Sequence, residues 1–176
     1  MILTGPQITR CVADGTITID PFDPASVNPN SYNYRLGDTL LVSRDEVFDA
    51  ARSPTWKEFE IPEEGFTLRA GRLYLASTLE TIGSSEYVTS LIGRSSLGRL
   101  GLFLQVTADL GHVGAVHRWT LELHAVQPLR IYRGMRIGQV SFWESRGSVL
   151  RYVGRYSDFS VPTPNLGGLV TTGRPA

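Results

Sequence analysis

Short strand-like segments separated by glycine or proline recur along most of this chain, and they constrain its fold more than any other feature. Each spans about four to eight residues, which is too short for a typical helix. The candidate strands are Thr16–Asp20, Ser31–Leu36, Thr39–Ser43, Phe66–Arg69, Leu73–Thr78, Val88–Ile92, Leu102–Thr107, Trp119–Val126, Leu129–Tyr132 and Arg136–Trp143. Strands at this spacing indicate an all-β domain of the sandwich or barrel type.

The connections between these strands are also predicted. A turn at Gly37-Asp38 separates two strands, and a turn at Ala70-Gly71 joins Phe66–Arg69 to Leu73–Thr78 as a hairpin. Further turns are expected at Gly93, Gly111–Gly114 and Arg133-Gly134, whereas residues 44–64 are polar and irregular.

One segment near the N-terminus favours a helix, and the sequence predicts it over residues 5–13. Thr4 is a candidate N-cap with Gln7 three residues later, and Pro6 lies in the first turn, where a missing N–H does no harm. The apolar face is formed by Ile8, Cys11 and Val12, and Gly15 ends the helix. No other segment predicts a helix.

Length, charge and cysteine content exclude several classes of protein. The 176 residues predict one domain over 1–176, with 157–176 as a tail or lid. The 17 basic and 17 acidic side chains cancel, so no basic field favours nucleic-acid binding. Cys11 alone cannot form an intrachain disulfide or a four-cysteine zinc site. No apolar run reaches a membrane span and no signal peptide is present, so we expect a cytoplasmic protein that binds no membrane.

The segment Gly93–Leu102 combines glycines, Arg94, Arg99 and the hydroxyls of Ser95 and Ser96. Backbone amides, guanidinium groups and hydroxyls suit the binding of a phosphate chain. The same residues are also typical of a surface turn with capping serines, and the pattern alone leaves both interpretations open.

A second segment, Trp119–His124, places a glutamate in the middle of a predicted strand. Because successive residues on a strand face opposite sides, Trp119, Leu121 and Leu123 are predicted to face the core. Thr120, Glu122 and His124 share the other face. A mid-strand glutamate is costly unless it is paired or performs chemistry, although a solvent-facing strand explains the pattern equally well.

Together these segments resemble the dCTP deaminase family of the trimeric dUTPase superfamily, over nearly the whole chain. The segments that carry the resemblance, besides the N-terminal helix, are Ser31–Asp38, Leu75–Glu80, Gly93–Leu102, Val106–Ala108, Thr120–Leu123, Gly134–Gln139 and Arg155-Tyr156. The resemblance implies a mainly β, distorted jelly-roll or β-clip dUTPase-like fold. It also implies a homotrimer with active sites at subunit interfaces, and deamination of a cytosine nucleotide.

The resemblance assigns roles by position. Glu122 would activate water and shuttle protons at C4 of cytosine, with Ser95 and Arg99 as further catalytic residues. The remaining implied substrate contacts are Arg94 and Ser96 with phosphate, Val106, Thr107 and Ala108 around the base, and His112, Ala115, Gln139, Tyr152 and Arg155. Mg²⁺ would arrive on the substrate phosphates, without protein ligands, and no metal would touch the base.

Several positions depart from the family pattern. His112 stands where an aspartate contacts the sugar, and Ala115 stands where a bulky aromatic residue is usual. His117 replaces a glycine, Arg155 replaces a lysine and Phe159 replaces a glutamine. The resemblance therefore implies deamination with a changed substrate: a ribonucleotide, a different phosphate count or a modified base.

Two other functions compete with this hypothesis. A dUTPase-like nucleotide diphosphohydrolase would release pyrophosphate, but His112 replaces the aspartate which that reaction needs. A non-catalytic nucleotide-binding paralogue would not need Glu122, Ser95 and Arg99 together. A metal site formed by His112, His117 and His124 is disfavoured, because their spacing matches no zinc template.

Overall fold

The computed structural model describes residues 1–104, 108–152 and 161–165, and β-strands dominate them. The helices are α1 (Gly5–Ala13) and the single-turn α2 (Ser95–Gly98), with a 3₁₀ turn at Pro24–Ser26. The strands are β1 (Ile17–Asp20), β2 (Tyr32–Ser43), β3 (Trp56–Glu60), β4 (Phe66–Leu68), β5 (Leu73–Thr78), β6 (Thr81–Ser84), β7 (Tyr87–Gly93), β8 (Leu102–Leu104), β9 (Leu110–Gly111), β10 (Val116–His117), β11 (Thr120–Ala125), β12 (Leu129–Ile131) and β13 (Arg136–Glu144). The prediction of a mainly β fold with a short N-terminal helix is confirmed. The expectation of no other helix is wrong at α2, because a single turn is too short to leave a helical periodicity in the sequence.

The strands of the described residues form three antiparallel sheets. The largest has the order β8-β11-β5-β2-β13-β7-β9, with β3 paired to β2 beside this path. A three-stranded sheet has the order β1-β6-β10, and β4 pairs with β12 alone. Tyrosines and aliphatic side chains fill the core, where Tyr32 and Tyr34 are fully buried. Burial raises the pKa of the Tyr34 hydroxyl, which donates to the Ile92 carbonyl at 3.1 Å.

Helix α1 has the predicted bounds, but its first turn is stabilised differently. Pro6 lies in that turn, and Ile8 and Cys11 are buried against the sheets. Thr4 occupies the N-cap position without a capping side-chain hydrogen bond. Gln7 donates along the helix to the Cys11 sulfur at 3.4 Å, so the predicted reciprocal cap is wrong.

The turn predicted at Gly37-Asp38 is also wrong, because both residues lie inside the long strand β2. The first part of β2 pairs with β13 and the second part pairs with β3 and β5. The register shifts between Leu36 and Leu40, which marks an irregularity where a turn was expected. A Cβ at Gly37 would lie 2.8 Å from the Ser77 hydroxyl, so the glycine permits close approach of two strands.

Two further expectations are corrected by strand pairing. Strand β4 pairs with β12 in the register Phe66↔Ile131, whereas β5 lies between β2 and β11, so the predicted 66–78 hairpin does not form. The predicted irregular region contains β3, and residues 110–117 contribute β9 to one sheet and β10 to another. Such short or polar strands have weak periodicity, and distant partners decide their pairing.

One ion pair within this framework has a fully buried carboxylate and a partly exposed guanidinium. Glu80 is fully buried after β5, and its carboxylate accepts hydrogen bonds from the Arg35 backbone N–H at 2.8 Å and from Arg35 Nε at 2.7 Å. The hydrogen bond to Glu80 raises the pKa of Arg35. This pair joins β2 to the β5–β6 connection, and it satisfies a carboxylate that would otherwise be costly to bury.

Candidate active site

Strand β11 presents Glu122 on the face opposite the core. It lies between β5 and β8, and Glu122 is directly opposite Leu75. Leu121, Leu123 and Ala125 are buried, whereas Thr120 and Glu122 are half-buried and His124 is exposed. The predicted alternation of faces is therefore confirmed for this strand.

A cavity of about 550 Å³ lies over this face. Its lining includes the β11 residues Thr120 and Glu122, the β5 residues Leu73 and Leu75, and Ala108. The volume is within the range of small-ligand sites. A carboxylate, a hydroxyl and apolar side chains line one space, which is suitable for holding a flat polar ring beside a proton acceptor.

Two further segments contribute to the lining of the cavity. The first is the connection from β2 to β3, which contributes Phe48, Asp49, Ala50, Arg52, Pro54 and Trp56. The second is Thr163–Asn165, where the Thr163 backbone N–H donates to the Thr120 hydroxyl at 3.0 Å. Part of the region predicted as a tail or lid is thus bound beside Glu122.

The β2–β3 connection is held closed at its base. The Ser43 hydroxyl donates to the Thr55 carbonyl at 3.1 Å, and the Thr55 N–H donates to the Asp45 carboxylate at 2.6 Å. The rings of Phe48 and Trp56 lie 5.7 Å apart above the sheet. Sequence reasoning missed these two residues, although large aromatic side chains in a polar segment were a signal that it packs on something.

The phosphate-loop candidate lies outside this cavity. Strand β7 ends at Gly93, and Arg94 precedes α2 and donates from Nη1 to the Arg136 carbonyl at 3.3 Å. Ser95 and Ser96 are exposed on α2, and Arg99 follows it, also exposed. Within the described residues of one chain, no member of Gly93–Leu102 lines the Glu122 cavity.

His112, which occupies the predicted sugar-contact position, lies at a third position with Tyr152 and Ala115. His112 stacks on Tyr152, with ring centroids 5.1 Å apart, and the two line a separate cavity of about 330 Å³. The Tyr152 N–H donates to the Val113 carbonyl at 3.0 Å, which holds the two segments together. Ala115 is buried, and its N–H donates to the His112 carbonyl at 3.2 Å.

Of the remaining residues that the sequence predicts near the substrate, Gln139 lies in the described part of the chain and the others do not. Gln139 is half-buried on β13 and donates to the Asn33 side-chain oxygen at 3.4 Å. Val106, Thr107, Arg155 and Phe159 lie outside the described residues. Among residues 1–104, 108–152 and 161–165, no three metal-binding side chains converge.

Comparisons with known proteins identify the family of the chain. A family model described as dCTP deaminase-like matches residues 2–145. The chain belongs to this family. A dCTP deaminase of Rhodopirellula baltica is 50% identical over 147 residues, which is 84% of this chain and 74% of that protein. A dUMP-forming dCTP deaminase of Clostridium acetobutylicum is 43% identical over 167 residues, 94% of this chain and 96% of that protein.

The fold is also similar to that of a solved family member. The crystal structure of 2′-deoxycytidine 5′-triphosphate deaminase from Agrobacterium tumefaciens matches with a TM-score of 0.64 and 23% identity. The match covers 80% of this chain and 46% of that one, so this chain spans about half the length of the solved protein. In the described part of the dCTP deaminase-like chain, neither helix is long and apolar enough to cross a membrane.

Proposed function

We propose that this chain is an enzyme that deaminates a cytosine nucleotide, dCTP or a related cytidine nucleotide, to the uracil nucleotide and ammonia. The observation that carries the proposal is the position of Glu122, half-buried in mid-strand in the lining of a ligand-sized cavity. Relatives named dCTP deaminase, at 41–50% identity over most of the chain, support the same reaction.

The proposed reaction is a hydrolytic substitution at C4 of the cytosine ring. Glu122 accepts a proton from water as the water oxygen bonds to C4. The carboxyl passes this proton to ring N3, then takes the remaining proton of the new C4 hydroxyl and gives it to the exocyclic amino nitrogen. The bond between C4 and that nitrogen breaks, and ammonia leaves. One water is consumed for each ammonia formed, and the product has a carbonyl at C4.

We propose that the active form is a homotrimer in which each site takes residues from two copies. Glu122 lines one cavity, whereas Ser95 and Arg99 are exposed elsewhere on the chain, so one chain supplies two separate half-sites. The second half-site, formed by Ser95 and Arg99, is flanked by the exposed apolar side chains Ile92, Leu100 and Phe103. Such a surface is expected where another copy covers it.

Complementation tests this division. Co-refolding equal amounts of Glu122→Gln and Arg99→Ala chains would give a random population of trimers in which about a quarter of all interfaces carry both intact half-sites. We expect activity to return to roughly that fraction of wild type. If each variant is inactive alone and the mixed trimers stay inactive, the two half-sites do not belong to different subunits.

Phosphate binding is assigned to the second half-site. The guanidinium of Arg94 and the hydroxyls of Ser95 and Ser96 are donors suited to phosphate oxygens. Mg²⁺, a hard cation that keeps most of its water, would be bound through the phosphates. We place the enzyme in the cytoplasm, where nucleoside triphosphates are the available substrates.

A dUMP-forming reaction is the second candidate, because the Clostridium acetobutylicum relative named for it matches over 96% of its length. That reaction removes pyrophosphate as well as ammonia. His112 disfavours it here, since an imidazole replaces the carboxylate that would orient the second water. Finding dUMP and pyrophosphate from dCTP would favour this candidate over simple deamination.

A panel of substrates tests the function. Purified protein is incubated with deoxycytidine, cytidine and their mono-, di- and triphosphates, and ammonia and uracil products are quantified. We expect ammonia with at least one cytosine nucleotide. Binding of nucleotides without turnover of any of them would instead favour a non-catalytic paralogue.

A further inference from the structure

The described lining of the Glu122 cavity contains two aromatic residues, Phe48 and Trp56, which differ in exposure. The indole nitrogen of Trp56 is buried without an acceptor among the described residues, so it does not face the cavity. Phe48, in contrast, is 45% exposed. A single exposed apolar side chain needs no explanation on an open surface, but one that lines a ligand-sized cavity is available for contact with a ligand.

The strand register places apolar side chains between Phe48 and the carboxylate. Glu122 lies directly opposite Leu75, and Leu73 lies two residues away on the same face of β5. Phe48 and Leu73 line both the Glu122 cavity and a neighbouring cavity of about 600 Å³. Phe48, Leu73 and Leu75 therefore form one apolar part of the lining beside Glu122. Such a surface suits the face of a planar heterocycle better than a phosphate chain.

The segment that carries Phe48 is held at its base and by its neighbouring ring. The Ser43 hydroxyl donates to the Thr55 carbonyl at 3.1 Å, and the Thr55 N–H donates to the Asp45 carboxylate at 2.6 Å. The Phe48 ring packs on the Trp56 ring with a centroid distance of 5.7 Å and an interplanar angle of 56°. A ring that is already positioned in this way loses little entropy when a ligand binds.

We propose that Phe48 is a substrate-contacting residue whose ring packs against the pyrimidine bound in the Glu122 cavity. This inference deepens the proposed function and rests on it. Because Glu122 acts at C4, the pyrimidine lies in this cavity, where Phe48 is the more accessible of the two described aromatic residues. Contact with the face of a base does not depend on its polar edge, so cytosine and uracil are held alike. The contact therefore affects KM more than kcat.

The test uses the full chain and three variants. Phe48→Ala removes the ring, and Phe48→Tyr keeps it. Val47→Ala is the matched control, because Val47 is 82% exposed in the same connection and lines neither cavity. The measurements are kcat and KM for ammonia release from dCTP and dCMP, or from CTP and CMP if the wild type prefers ribose. Calorimetry gives the Kd of the corresponding uracil nucleotide, and thermal unfolding and sedimentation give the Tm and the oligomeric state.

For Phe48→Ala we expect KM and the Kd of the uracil nucleotide to rise about 5- to 50-fold, the scale of one base stacked on an aromatic ring. The factor should be the same for the triphosphate and the monophosphate, with kcat within about threefold of wild type. Phe48→Tyr and Val47→Ala should keep all these values within about threefold. The Tm and the oligomeric state should stay near wild type in every variant.

Several results would overturn the inference alone while the wild type remains active. They include an unchanged KM and Kd in Phe48→Ala, an equal loss in Val47→Ala, and a KM change confined to the triphosphate. A change of oligomeric state in Phe48→Ala would show that the ring packs against another copy and not against the base. A wild-type protein that releases no ammonia from any cytosine nucleoside or nucleotide would overturn the proposed function, and this inference with it.

Discussion

Glu80 and Glu122 are two carboxylates of the same β framework with opposite environments. Glu80 is fully buried, and Arg35 donates to both of its oxygens through the backbone and the guanidinium. Glu122 is half-buried and lines a cavity large enough for a ligand. A carboxylate that is fully buried and paired with a cation stabilises the fold, whereas one that lines a ligand-sized cavity is a candidate for contact with a substrate.

This comparison shows that family resemblance and structural environment give different information about a residue. Both glutamates lie in segments that resemble the dCTP deaminase family, Leu75–Glu80 and Thr120–Leu123. Resemblance alone does not separate a residue that maintains the fold from one that performs chemistry. Burial and position relative to the cavity separate them, and substitutions at the two residues measure the separation.

The largest expected effect is on turnover. Glu122→Gln keeps the shape of the side chain and removes the proton acceptor, so kcat should fall by about 10²–10⁴-fold. Tm and nucleotide binding should stay near wild type. Steady-state ammonia release and thermal unfolding measure the two quantities, and activity within a few-fold of wild type would remove Glu122 from the mechanism.

The reverse pattern is expected for the buried carboxylate. Glu80→Gln leaves Arg35 without its charged partner and weakens two charge-assisted hydrogen bonds, so the free energy of unfolding should fall by about 2–3 kcal/mol. Glu63→Gln is the matched control, because Glu63 forms an exposed pair with Arg133 at 2.8 Å. Its loss should cost less than about 1 kcal/mol. Equal losses in the two variants in urea denaturation would contradict the role assigned to Glu80.

A smaller effect is expected on KM when the half-site assigned to phosphate binding is changed. Arg94→Ala removes a candidate phosphate donor, so KM for nucleotides should rise by the equivalent of about 1.5–3 kcal/mol, with little change for the bare nucleoside. Ammonia release from matched nucleoside and nucleotide measures this difference. An equal change with both substrates would show that Arg94 does not bind phosphate.

The smallest effect concerns sugar choice. If His112 has replaced the sugar-binding carboxylate, His112→Asp should shift the ratio of kcat/KM values towards the deoxynucleotide by about 1–2 kcal/mol. Paired ribo- and deoxy-substrates with the same phosphate number give this ratio. A wild type that strongly prefers dCTP, with a ratio unmoved by the substitution, would show that His112 does not set sugar choice.

Some of this architecture is readable from the sequence because it is local. Alternation along Thr120–Ala125 correctly places Glu122 opposite the buried Leu121 and Leu123, since strand geometry fixes that alternation. The bounds of α1 agree with prediction because Pro6 and the apolar face define them. The sequence also indicates Glu122 and the Gly93–Leu102 segment as candidates for the site.

Other features depend on distant residues and left no local signal. Gly37-Asp38 looks like a turn, but both residues continue β2 because strands on either side pair with it. Strand β4 has a hairpin partner nearby in sequence and pairs instead with β12. The unpaired Trp56 N–H could not be predicted, since only the packed structure shows which donors find acceptors.

The most direct test of the central claim is a product analysis of dCTP incubated with wild-type protein and with Glu122→Gln. Proton and phosphorus NMR follow the base and the phosphates in one sample, and an enzymatic assay measures ammonia. We predict that the wild type forms one ammonia per uracil nucleotide with the triphosphate intact, and that Glu122→Gln forms almost none. Pyrophosphate release with the cytosine ring unchanged, or equal ammonia from both proteins, would contradict the account.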